Sequence, residues 1–164
     1  GGVLILFFKP FKVGCFIEAQ GHIGTVKQIG LFCTVLNTPD NKTVILPNGA
    51  LSSGSIVNYS AEDIRRVDFT FGIGYDDDIK KAKEILLKLA KDHPKILDEP
   101  ATIVGVSELA DSCVNFALKP WVNSKDYWDV YYDMQESVKL SFDEQGISIP
   151  FPQRDIHVHQ TDKK

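Results

Sequence analysis

The sequence predicts an α+β protein: a small β-barrel domain, then an αβ domain, then a C-terminal strand. Three observations predict it. Residues 14–60 read as short β-branched or aromatic runs broken by Gly and Pro. Beyond residue 61 the apolar spacing turns helical. The charge divides at the same place: residues 1–60 carry four Lys against two acids, and residues 61–164 carry 14 basic side chains against 20 acidic ones. At 164 residues, 43% hydrophobic and 24% charged, the chain has the makeup of a folded protein. Its net charge of −4 argues against nucleic-acid binding through bulk positive charge.

The chain opens on Gly1-Gly2 and holds its one Met at position 134, which reads as a piece of a longer protein. The apolar run 3–8 is too short to cross a bilayer, which takes about 20 residues. Lys9 and Lys12 follow the run instead of preceding it, so it is not a signal peptide. Lysines just past an apolar helix suit the cytoplasmic end of a membrane helix. A first strand or a short core helix fits the run equally well.

Five strands are expected next, near Cys15, Gly24, Leu31, Thr43 and Ser55, with no helix longer than a turn. Pro47-Asn48-Gly49 reads as a tight turn ending the fourth, and Gly21, Gly24 and Gly30 as bends that let a short barrel close. A barrel this small buries little core and should lean on neighbouring copies. Val44, Ile45, Leu46, Ile56 and Tyr59 are therefore expected to lose exposure on assembly.

Ile79, Ala82, Ile85, Leu86, Leu89 and Ala90 then fall at helical spacing behind Asp76-Asp77-Asp78, an N-cap with acid for the positive helix end. His93-Pro94 stops this helix. A second helix is expected over 126–145, ended by Gly146. With strands at 67–73, 101–106, 114–122 and 156–159, the order is β-α-β-β-α-β, the ferredoxin-like pattern.

Signals for enzyme chemistry are thin. The three acids could hold a metal but suit a cap better, and Gly72-Ile-Gly-Tyr lacks the third glycine of a dinucleotide loop and the lysine of a phosphate loop. Cys15, Cys33 and Cys113 form no CxxC pair, which disfavours a zinc cluster or a disulfide scaffold and favours a reducing compartment. His157 and His159 share one face of the last strand, the usual makeup of a polar edge; repeated about an axis they would form two imidazole belts. No residue is assigned a catalytic or metal-binding role, and no cofactor is expected.

Several strings together carry a resemblance. Phe8-Lys-Pro-Phe-Lys-Val-Gly, Gly24-Thr-Val-Lys-Gln-Ile-Gly, Val44-Ile-Leu-Pro-Asn-Gly, Ile56-Val-Asn-Tyr-Ser and Gly146-Ile-Ser-Ile-Pro-Phe-Pro-Gln are similar to the small-conductance mechanosensitive channels of bacterial membranes. The resemblance implies that residues 1–9, with Gly2, Leu4 and Phe8, end a pore-lining helix. It implies a Sm-like β domain over 10–60, with Gly24, Pro47, Asn48, Gly49 and Asn58 in family motifs. It implies an αβ domain over 61–152 that closes a cage, and a tail over 153–164 that enters a parallel barrel through Ile156, His157, Val158 and His159.

The implied protein is a homo-oligomer, commonly a heptamer. It sits in the bacterial inner membrane with this region on the cytoplasmic side, and it opens under tension to pass ions and small osmolytes without nucleic acid. One departure is Cys15, where the resemblance leads one to expect Asp or Glu. A soluble Sm-like ring binding RNA is the other reading; it needs a basic, aromatic face, and the β half offers Lys9, Lys12, Lys27 and Lys42.

Overall fold

The computed structural model describes residues 10–161, and the chain divides into two compact units, one ending at Asp63 and one beginning at Ile64. Gly2, Leu4 and Phe8 lie outside the described residues.

The first unit is built from β1 (Phe16–Ala19), β2 (His22–Ile29), β3 (Cys33–Asn37), β4 (Thr43–Pro47), α1 (Asn48–Ser53) and β5 (Ile56–Asn58). All its ladders are antiparallel, in the order β4-β3-β2-β1-β5, which leaves β4 and β5 as the two edges. Alternation puts Ile17, Ala19, Val26, Leu36 and Leu46 on one face, where Phe11, Cys15 and Leu51 complete the core. A bulge between Val26 and Gln28 bends β2 against β3. Gly24 is required where β2 passes β3, because a Cβ there would lie 2.6 Å from the Asn37 carbonyl oxygen.

Two expectations change here. The Pro47-Asn48-Gly49 turn is the start of a six-residue helix, α1, so the β unit does contain a helix longer than a turn. Pro47, at φ −60°, feeds the chain directly into it. Asn48 is buried, at 1% exposure.

The second unit is built from β6 (Ile64–Arg66), β7 (Phe69–Ile73), α2 (Ile79–Asp92), β8 (Ile103–Leu109), β9 (Val114–Lys119), β10 (Trp121–Asn123), a 3₁₀ turn (Ser124–Asp126) and α3 (Tyr127–Gln145). β6 and β10 pair on their own, and the main sheet runs β7-β9-β8. Phe69, Phe71 and Ile73 of β7 and Val114, Phe116 and Leu118 of β9 all face one side. Their core is completed by Ala82, Ile85, Leu86 and Ala90 of α2 and by Val130, Met134, Val138 and Phe142 of α3. The caps follow from local chemistry: Asp78 accepts hydrogen bonds from the Lys80 and Lys81 amides, and Gly146 ends α3 at φ 74°, where only glycine is unstrained.

The third difference concerns the tail. Within the chain 156–159 forms no strand, so the ferredoxin-like order lacks its fourth strand, whose place is beside β7. Ile149 lines a groove together with Thr70 and Phe71 of β7, but Pro150 and Pro152 have no amide hydrogen to give a ladder.

Candidate functional site

Asn48 is the polar centre of the β unit. Its side-chain amide donates to the carbonyl oxygens of Gly30 (2.8 Å) and Leu31 (3.2 Å), its carbonyl oxygen accepts from the buried Thr34 hydroxyl (2.8 Å), and its backbone amide donates to Phe32 (2.8 Å). One side chain thus binds the start of α1 to the β2–β3 turn and to β3. The turn is held rigid while Leu31 and Phe32 project outward at 61% and 80% exposure.

The edges differ in character. On β4, Ile45 is exposed, Val44 half-buried and Leu46 buried; Ile56 on β5 and Tyr59 just after it are half-buried. The Tyr59 hydroxyl donates to Glu18 (2.6 Å) and its ring meets Phe16. Asn58 donates to the Pro10 carbonyl (3.2 Å) and accepts from the Ser60 amide (3.0 Å), anchoring the incoming chain to β5.

In the αβ unit two of the three adjacent acids have separate tasks. Asp78 caps α2. One oxygen of Asp77 accepts from the Gly74 amide (2.8 Å), the Ser148 amide (2.9 Å) and the Ser148 hydroxyl (2.6 Å). A second tie follows, from the Gln153 amide to the Ser112 hydroxyl (3.0 Å). The chain leaves the unit held at two points. Beyond them Ile156 and Val158 are 78% and 84% exposed, and His157 and His159 are exposed too.

The loop after α2 is fastened to α3 by charge. Lys95 bonds Asp129 (2.7 Å), which raises the lysine pKa and lowers the carboxyl pKa, with Asp126 adding a weaker pull at 3.6 Å. His93 accepts the Lys95 amide at Nδ1, so Nε2 carries the proton and donates to Asp133 (2.9 Å). Arg66 grips Asp68 with two nitrogens, which raises the arginine pKa. Asp40, bonded by the Thr38 hydroxyl and by Lys42, has its pKa lowered. Among the described residues no group of three or more His, Cys, Asp or Glu side chains is placed to hold a metal, and no helix is long and apolar enough to cross a membrane.

Residues 1–61 match the family model described as the mechanosensitive ion channel β-domain, and residues 67–149 match the one described as the C-terminal region of the mechanosensitive ion channel MscS. The chain belongs to the MscS mechanosensitive channel family. A small-conductance mechanosensitive channel of Edwardsiella ictaluri is 39% identical over 99% of this chain and 57% of its own length. An uncharacterized MscS family protein of Synechocystis is 38% identical over 100% of this chain and 55% of its own. The crystal structure of Helicobacter pylori MscS in its closed state superposes with a TM-score of 0.92 at 28% identity, over 98% of this chain and 64% of that one. The chain therefore spans a little over half the length of the curated relatives it matches. The α+β fold, a β domain followed by an αβ domain, is the MscS fold. The family is one of channels, not enzymes.

Within this fold Cys15 takes part in the apolar core of the β unit, at 7% exposure, where a thiol serves as a small hydrophobe. The structure joins Asn48 to Gly30, Leu31 and Thr34; sequence reading singled out Asn48 as a turn residue and missed the network, because its partners lie 14 to 18 residues away. Asp77 was read as part of a cap, and its bond to Ser148, 71 residues on, leaves no local signal.

Proposed function

We propose that this chain is the cytoplasmic cage region of a membrane-tension-gated channel, which opens on hypo-osmotic shock and releases ions and small osmolytes. The observation that carries the reading is the match of both family models in order, together with the superposition on closed MscS along nearly the whole chain. In this reading residues 1–9 end the pore-lining helix, with Gly2, Leu4 and Phe8 on it, and the protein is a homo-oligomer, a heptamer, of the bacterial inner membrane. β4 and β5 are unlike edges of one sheet, so joining them between copies gives a ring. Val44, Ile45, Leu46, Ile56 and Tyr59 form that contact. Pro47, Asn48 and Gly49 hold the helix beside it, and Gly24 and Asn58 keep the strands in register.

The tails converge on the ring axis, where Ile156 and Val158 fill a narrow parallel barrel and His157 and His159 face outward. Branched aliphatics pack such an interior, whereas charged imidazoles would repel one another inside it. Ile156→Asp should then dissolve the barrel while His157→Asp is tolerated, as read by tail cross-linking; the reverse result contradicts the placement. The RNA-binding alternative draws no support from these relatives.

The experiment is osmotic. Cells lacking their own tension valves and expressing the full-length gene should survive a downshock that kills the parent, and survival no better than the parent's counts against the reading.

A further inference from the structure

The main sheet of the αβ unit has two edges, and they are unequal. Along β8 the ladder is broken by a bulge between Val106 and Glu108, and Glu108 adds a charge; both discourage docking of another element. β7 has neither a bulge nor a charge nor a proline. Beside it, where the fourth strand of the fold would sit, lies a groove of about 250 Å³ lined by Thr70, Phe71, Gln135, Val138, Lys139 and Ile149. An apolar cavity of about 150 Å³ accepts a benzene molecule, so this groove has room for a phenyl ring.

The chain presents such a ring close by. Phe151 is 83% exposed, two residues after the groove-lining Ile149. It stands between Pro150 and Pro152, which fix φ on both sides. The Asp77–Ser148 bonds precede it and the Ser112–Gln153 bond follows it. A large aromatic side chain held outward on a rigid segment has little ordering entropy left to lose on docking.

We propose that Phe151 of one copy seats in the groove beside β7 of the next. This rests on the ring reading above. Knob and groove are different surfaces of the same unit, so the contact is head-to-tail, the kind that closes rings. The apolar anchor fills the place that Pro150 and Pro152 keep the chain's own tail from pairing into.

The test co-expresses two differently tagged copies of the full-length protein, one carrying Phe151→Cys and the other Gln135→Cys, and oxidises the membranes. The expected product is a disulfide-linked dimer carrying both tags, absent from either variant alone. A second arm measures assembly by native mass spectrometry. Phe151→Ala and Gln135→Trp, which fills the groove from its exposed rim, should each weaken subunit association at least about tenfold, and the double variant little more than either. A ring that forms without the mixed dimer, or a link within one chain only, overturns the contact and leaves the ring standing. A wild-type protein that stays monomeric in membranes overturns the ring reading and the contact with it.

Discussion

Among the described residues the β unit gathers eight buried apolar side chains into its core and the αβ unit seventeen, and the two treat polar groups accordingly. In the larger unit a three-stranded sheet is covered by two amphipathic helices, and its polar ties (Asp77 and His93, half-buried, and Lys95) lie at the margins of the core, where they aim loops and the tail. In the smaller unit the polar tie is inside: Asn48 and Thr34 are the buried polar residues of the chain's described part, and both belong to it. Both units leave apolar side chains in water: Leu31, Phe32, Ile45 and Val57 in the small one, and Leu109, Tyr132, Leu140 and Phe151 in the large one. What sets the small unit apart is therefore its centre: with little apolar area of its own to gather, it fixes its shape with buried hydrogen bonds.

Substitutions probe the two units separately. Both tryptophans, Trp121 and Trp128, lie in the αβ unit, so their fluorescence reports on that unit while amide exchange reports on both. The largest effect is expected from Phe116→Ala. It empties the centre of the αβ core and should cost about 3–5 kcal/mol in the fluorescence-detected denaturant transition. Next is Asn48→Ala, which strands the Thr34 hydroxyl and two carbonyls; about 2–3 kcal/mol should be lost, seen as faster exchange of β2–β3 amides with the Trp transition unmoved. Equal loss in both readouts would mean that the two units do not stand on separate cores. Gly24→Ala, forced against the Asn37 carbonyl, should cost about 1–3 kcal/mol in the same exchange assay.

The smallest effect is electrostatic. Lys95 and Asp129 are exposed, and their mutual attraction should matter little to stability and fade with salt. Its sign is still fixed. The depressed Asp129 pKa means the contribution is present above the ordinary carboxylate value of 3.8 and is lost as pH falls through the lower folded value. The raised Lys95 pKa means it is present below 10.5 and is lost as pH rises through the higher folded value. Lys95→Ala should return the Asp129 carboxyl upward in an NMR titration; no movement would show that the contact does not persist in solution.

Much of this was legible in the sequence, for reasons that separate the two units again. The αβ helices announced themselves because burial at 3.6-residue spacing is a local pattern: Ala82, Ile85, Leu86 and Ala90 all reach the core. So did the Gly146 cap. The helix at Asn48 has no local signal because Asn48 is held by partners in the β2–β3 turn and on β3 and not by the helix's own six residues. The tail reads as a strand because Ile156-His157-Val158-His159 alternates, yet alternation specifies a face and not a partner, and within the chain 156–159 pairs with no strand although the β7 edge is open. The docking role of Asp77 had no sequence signature at all.

If these two units serve a tension-gated channel, patch-clamp recording from membranes that hold the full-length protein will show it. Suction on the patch should open a conductance that closes when tension is released and is absent from membranes without the protein. Protein present in the patch, with no conductance up to the tension at which the bilayer ruptures, would contradict it.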